Sequence, residues 1–408
     1  MSAERMIPFS PPDITELEIN EVIAALQSGW ITTGGRTKLL EQKLSEYMGT
    51  SRTAALSAQT TAAELTLRIL GVGPGDEVIV PAYTYTASAS VIHHVGAKIV
   101  MVDVEQDSFE LDYDAVQQAI TEHTKVIIPV DLGGRMCNYK RLQEIVEQTR
   151  PLFHASNELQ SRYGRIVIMA DSAHGFGAMR EGKLSGQWAD FTTFSFHAVK
   201  NLTTGEGGAV TWKSVEGLSD DWLYQQYMLM SLHGQSKDAF HKSQLGNWEY
   251  DIVYPAYKCN MTDIQAAIGL KQLERYDSIL QRRKEIILRY DEALLPYGVQ
   301  SLVHYDEDVQ SSGHLYLMRI PDIIEQQRNQ MIVDLAERGV ATNVHYKPLP
   351  MMTAYQQLGF SIEDYPNAYH QYCNEITLPL HTCLSDEDVN YVIKQVQAVI
   401  SKWEIKNG

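Results

Sequence analysis

Cysteine is scarce, with four in 408 residues: Cys137, Cys259, Cys373 and Cys383. They form no C-x-x-C pair and lack zinc-ligand spacing, which argues against a disulfide framework or a cysteine-based zinc site. Free thiols in a reducing compartment are the simplest reading. Long apolar runs are missing as well, none approaching the ~20 residues of a membrane-spanning helix. The start, Met1-Ser-Ala-Glu-Arg-Met-Ile-Pro8, lacks the basic-then-apolar order of a signal peptide, so the expected location is the cytoplasm. Positive charge is in deficit: 34 Lys and Arg against 51 Asp and Glu give a formal net charge of −17. Nucleic acid and an anionic membrane are therefore not expected partners, and an anionic substrate would need a local concentration of positive charge. No G-x-G-x-x-G joins a first strand to a helix, which weakens a dinucleotide-dependent dehydrogenase. No internal repeat, low-complexity tract or flexible linker is found.

What is present reads as an α/β protein. Hydrophobic residues make up 44 % and charged residues 21 % of the chain, ordinary for a globular enzyme. Pro11-Pro12-Asp13-Ile14-Thr15 opens a helix whose apolar face is Leu17, Ile19, Val22, Ile23 and Leu26. A second helix is predicted over 39–48. Apolar strands then alternate with helices from Thr53 to Asp171, the pattern of a mainly parallel sheet with crossover helices. Beyond it come a helix over 214–232 and a polar, irregular stretch over 235–257 with Trp248, Tyr250 and Tyr254. A long helical region follows to Leu294, broken by Leu294-Leu-Pro296-Tyr-Gly298. A strand over 315–320, a helix over 326–338, a strand over 341–348 and a helix over 386–402 complete a smaller α+β part. The expected division is a large domain, residues 1–290, and a small one, 291–408.

The centre of interest is Phe191-Thr-Thr-Phe-Ser195-Phe-His197-Ala-Val-Lys200-Asn-Leu-Thr-Thr-Gly205-Glu206-Gly207-Gly208. Alternating aromatic and hydroxyl residues predict a strand to Phe196, and the pattern resumes after the glycines. Lys200 then lies on a turn between two strands. A desolvated lysine amine is a nucleophile able to form a Schiff base; an exposed turn lysine is the ordinary alternative. Upstream, Arg165-Ile-Val-Ile-Met-Ala-Asp171-Ser172-Ala173-His174 ends a buried strand in a carboxylate, where open α/β sheets bind ligands. Asp171 alone would serve equally as a helix cap. Together, a lysine amine and a buried acid are what pyridoxal phosphate requires.

The segments Phe194–Gly208, Gly75-Asp-Glu-Val-Ile-Val-Pro81, Asn260-Met-Thr-Asp-Ile-Gln-Ala-Ala-Ile-Gly269 and Val344-His345-Tyr346 resemble the DegT/DnrJ/EryC1/StrS family of sugar aminotransferases. The resemblance runs from about Ile7 to the C-terminal end, and ordered motifs in one chain are far more specific than any one alone. It implies a pyridoxal-phosphate-dependent transferase of fold type I, like aspartate aminotransferase, acting as a homodimer with its sites at the interface. Lys200 would carry the cofactor and Asp171 would face its pyridine nitrogen. Ser195 and Thr60 would hold the phosphate, although Thr60 opens a predicted helix and a plain N-cap explains it too. Tyr85 would stack on the ring, with Tyr83 as its rival, and His174 would lie near the 3-oxygen. Asn260, or else Lys258, would reach the partner subunit's cofactor. Thr33, within the loop 29–35, and His345 and Tyr346 would face the sugar.

The sequence departs from the family pattern at two places. Gln59 stands where glycine is usual, and Gly133-Gly134 stand where an aromatic is frequent, which would open space near the cofactor. The implied reaction moves an amine from an amino acid, L-glutamate first, to a nucleotide-linked keto-sugar, a 4-keto-6-deoxy-hexose first and a 3-keto sugar second. The product would serve surface polysaccharide synthesis, lipopolysaccharide included. A dehydratase of the same fold is disfavoured by the lysine, and a non-catalytic sensor by the complete set of Asp171, Ser195 and Lys200.

Overall fold

A computed structural model describes residues 5–236 and 249–403. Its frame is a seven-stranded sheet in the order Thr53–Leu56, Gly208–Trp212, Phe191–Ser195, Val167–Asp171, Thr124–Ile127, Glu77–Pro81, Lys98–Val102. All neighbours are parallel except around Gly208–Trp212, which runs antiparallel to both strands beside it. Val78-Ile79-Val80, Val126-Ile127 and Val167–Ala170 are buried without interruption. Such continuous apolar runs belong to strands covered on both faces, which is why these segments do not alternate.

Helices Gln59–Ile69 and Thr86–His94 follow the strands that end at Leu56 and Pro81. The first helix, Glu16–Gln27, starts at the predicted place because Thr15 and Glu18 form a reciprocal capping box. Glu18 is buried, and there it pairs with Arg275 (2.8 Å) and accepts from Gln272 (3.0 Å), tying this helix to Asp263–Glu274. A three-stranded sheet, Gln300–Ser301, Tyr316–Arg319 and Glu375–Leu378, lies in the C-terminal part with helices Glu325–Glu337 and Asp386–Lys402. Its core also takes Ile7 and, from the helix Tyr276–Leu294, Ile286, Ile287, Tyr290 and Leu294.

Several expected elements are shorter or divided. The helix predicted over 214–232 begins only at Asp220, capped by Ser219, because Gly217 turns the preceding chain with φ +76°. The long helical region divides at Arg275, whose φ of −112° interrupts the ladder. No strand forms over 341–348. Asn343 makes one antiparallel bridge to Thr377; the Asn343 side chain then turns back onto the Val344 N–H (2.8 Å), and Pro348 offers no donor. Within the stretch 235–257, Trp248 lies outside the described residues.

Candidate active site

The parallel strands deliver their C-terminal ends to one cavity of about 490 Å³. It is lined by Thr60, Tyr85, Asp171, His174, Ser195, Lys200, His345 and Tyr346, so five segments of the chain converge. Asp171 ends its strand in register with Thr193 of the neighbouring one. Its Oδ2 accepts from the Ser88 hydroxyl (2.6 Å) and its Oδ1 from the Ala173 N–H (3.2 Å). Burial raises the carboxyl above its ordinary range, opposed by Ser88, Ala173 and the charge of Lys200.

Lys200 sits on the turn linking the antiparallel strands Phe191–Ser195 and Gly208–Trp212, where its N–H donates to His197 O (2.9 Å). The side chain keeps some opening to the cavity, but desolvation brings its amine down to about 8, against the pull of Asp171 upward. A buried acid and a desolvated amine thus face one space.

His174 is neutral, because burial and the nearby Lys200 charge hold its pKa well below the usual imidazole value. Its Nδ1 lies 3.2 Å from the Gly133 N–H and must accept from it. The ring proton is therefore on Nε2, which donates to the Tyr346 hydroxyl (3.2 Å). Burial and the Asp171 charge keep that phenol protonated, leaving its own proton free for another acceptor.

The expected phosphate end offers donors to an anion. The helix Gln59–Ile69 has Ala58 at its N-cap and no side-chain cap, so its first N–H groups stay available to an anion beside the Thr60 and Ser195 side chains. Gln59 keeps the helix start intact, and its amide donates to Thr193 Oγ1 (3.0 Å) beneath the cavity. Gly208 permits the close crossing here: a Cβ would come 2.3 Å from the Gln59 nitrogen. Tyr85 is 58 % exposed at the cavity wall, its ring 5.7 Å from that of Tyr346, whereas Tyr83 is fully buried and donates to His345 O (2.9 Å). An amine, an opposing acid, an uncapped helix start with hydroxyls, and an open aromatic face fit pyridoxal phosphate.

The expected space at Gly133-Gly134 is not there. Both adopt positive φ, +65° and +97°, and a Cβ on either would strike Leu302 Cδ2 at 2.6 Å or Ser312 Oγ at 2.2 Å. The glycines let the segment 311–315 pack closely, and His314 brings its ring to 4.3 Å from His174. Thr33 and Asn260 do not line the cavity. The Asn260 amide donates to Thr33 Oγ1, Lys258 Nζ donates to Asn260 Oδ1, and Thr33 donates to Met261 O (2.5 Å). Ser88 and His314 carried no signal in the sequence, since each acts through a partner more than eighty residues away.

A family model described as the DegT/DnrJ/EryC1/StrS aminotransferase family matches residues 12–397. A curated relative, the spore coat polysaccharide biosynthesis protein SpsC of Bacillus subtilis, is 34% identical over 400 residues, covering 97% of each chain. The PLP-form structure of the putative sugar aminotransferase Spr1654 from Streptococcus pneumoniae is 56% identical. Its TM-score is 0.94, over 98% of this chain and 99% of that one. Helicobacter pylori PseC, an aminotransferase involved in the biosynthesis of pseudoaminic acid, is 27% identical with a TM-score of 0.83, covering 98% of this chain and 100% of that one. With the lysine, the acid and the uncapped helix already placed around one cavity, these likenesses establish that the chain belongs to the DegT/DnrJ/EryC1/StrS family, as a pyridoxal-phosphate-dependent sugar aminotransferase.

Proposed function

We propose that this enzyme transfers the amino group of L-glutamate to a nucleotide-linked 4-keto-6-deoxy-hexose for surface polysaccharide synthesis, as a cytoplasmic homodimer. The observation that carries this reading is the pairing of a desolvated Lys200 amine with the buried Asp171 carboxylate in one cavity. The likeness to SpsC supports the polysaccharide setting. When bound, pyridoxal phosphate supplies the carbon that carries the amine and a ring that takes up the electron pair released at the substrate carbon.

The protein's own groups do the rest. Lys200, with a pKa near 8, takes the proton from the amino-bearing carbon of the donor and returns one to the acceptor carbon. Asp171, oriented by Ser88, holds a positive charge on the ring nitrogen. Ser195, Thr60 and the free N–H groups at Gln59–Ile69 bind the phosphate, and Tyr85 covers the ring. His174 donates from Nε2 to Tyr346, which directs its hydroxyl proton toward cofactor or sugar. Asn260, or else Lys258, reaches the partner subunit's cofactor, and Thr33, to which the Asn260 amide donates, faces the sugar. We assign residues 1–290 to the large domain and 291–408 to the small one.

The purified protein is expected to absorb in the near ultraviolet or visible and to shift on adding glutamate. Borohydride should leave its label on Lys200. A panel of nucleotide-linked keto-sugars then identifies the acceptor; no turnover with any member, despite the glutamate shift, overturns the sugar assignment.

A further inference from the structure

His345 lines the cavity with one ring nitrogen already engaged. Its Nδ1 lies 2.9 Å from Thr377 Oγ1, and Thr377 Oγ1 lies 2.6 Å from Glu375 Oε1. The other carboxylate oxygen, Oε2, accepts the His345 backbone N–H at 3.0 Å. Glu375 is wholly buried, and Phe9 stacks on the imidazole at 5.6 Å with an interplanar angle of 15°. Among the described residues nothing bonds to His345 Nε2, the nitrogen left for a bound molecule.

With the Thr377 proton used within this chain, where its hydroxyl has its only partners among the described residues, proton counting has two solutions. A threonine hydroxyl has one proton. If Glu375 is ionised, Thr377 gives its proton to the carboxylate and must accept from Nδ1–H, so Nε2 is a bare acceptor. If Glu375 is protonated, Oε2 is occupied by the backbone N–H, so the acid proton sits on Oε1 and donates to Thr377. Thr377 then donates to Nδ1, and Nε2 carries the proton. We propose that Glu375, acting through Thr377, is a positioning residue that decides whether His345 meets the substrate as acceptor or as donor.

An acceptor Nε2 suits a hydroxyl or ammonium proton, whereas a donor Nε2 suits a keto oxygen. Burial pushes the Glu375 carboxyl up to about 8, against the bonds from Thr377 and the His345 N–H and the charges of Arg328 and Arg319. The groups facing it are Arg319 on the paired strand, Arg328 on Glu325–Glu337, and the phenols of Tyr83 and Tyr346. His345 itself is held neutral, at about 3, by burial and by Lys200, so its tautomer and not its charge is at issue.

The test is long-range proton–nitrogen correlation NMR on the cofactor-loaded enzyme labelled with nitrogen-15 histidine, His345 being assigned by its loss in His345→Phe. Wild type should pass from Nε2–H to Nδ1–H as pH rises through about 8. Glu375→Gln should stay Nε2–H at every pH, because its amide oxygen takes the backbone N–H and its NH₂ donates to Thr377. Thr377→Val should lose the pH response, which keeps the test open if the glutamine variant does not fold. One tautomer shared by wild type and both variants from pH 6 to 9.5 overturns the proposal. The use of Nε2 toward a sugar rests on the functional reading above, but the tautomer does not. Failure of every sugar in the panel would remove the former and leave the latter.

Discussion

On the sheet side of the cavity, Asp171 and Ser195 take their places from main-chain ladders, in register with Thr193 and Gly208. On the opposite side, His345 and Tyr346 ride on an irregular segment held by bonds to Thr377, Glu375, Tyr83 and His174. Asp171 and Ser195 on the first wall follow from neighbouring strands of one sheet. Every position on the second depends on partners brought from elsewhere in the chain. Under the proposed function the first wall carries the chemistry and the second meets the substrate.

The largest effect is expected where the sheet wall carries the reacting group. Lys200→Ala should lower turnover by about 10³-fold or more, since nucleophile and proton carrier vanish together; single-turnover kinetics at saturating glutamate measures it. Retained activity would break the division between the walls. Asp171→Asn removes the charge without the shape and should cost about 10²-fold in the glutamate half-reaction, read by stopped-flow absorbance.

The third prediction concerns pH. Only the neutral Lys200 amine attacks an aldehyde, and its pKa of about 8 lies below the ordinary lysine value. At pH 7 about one amine in ten is then neutral, against about one in three thousand for an unperturbed lysine. The rate of cofactor capture by stripped enzyme should rise roughly tenfold per unit up to pH 8 and then level off. A rise continuing past pH 10 would mean that the amine is not desolvated. The smallest effect belongs to Asn260→Ala, where a few-fold faster loss of cofactor on dialysis is expected from losing about one hydrogen bond. No change would leave Lys258, or no contact across the subunits, as the better account.

The same contrast explains what the sequence discloses. Asp171 and Lys200 were readable because a hydrophobic run ending in a carboxylate, and a strand broken by glycines, are local patterns. The helix starts at Thr15 and Asp386 were readable for the same reason. The segment 341–348 looked like a strand because its composition allows one; it fails because only Asn343 finds a partner on Glu375–Leu378. Gly133-Gly134 looked like missing volume, yet the residues that fill it, Leu302 and Ser312, lie about 170 positions downstream. No local rule connects Glu375 to His345 either, because the bond between them crosses thirty residues.

Residues 7–10 form a strap rather than a tail. Ile7 pairs with Val340, the Pro8 carbonyl lies 3.1 Å from His381 Nε2, Phe9 covers His345, and the Ser10 hydroxyl reaches Val199 O at 3.3 Å, next to the lysine. Trimming these positions, or fusing a bulky affinity tag directly to them, would uncover the imidazole and loosen the turn that carries Lys200. Preparations differing only at this end would then report different rates for what is nominally the same enzyme.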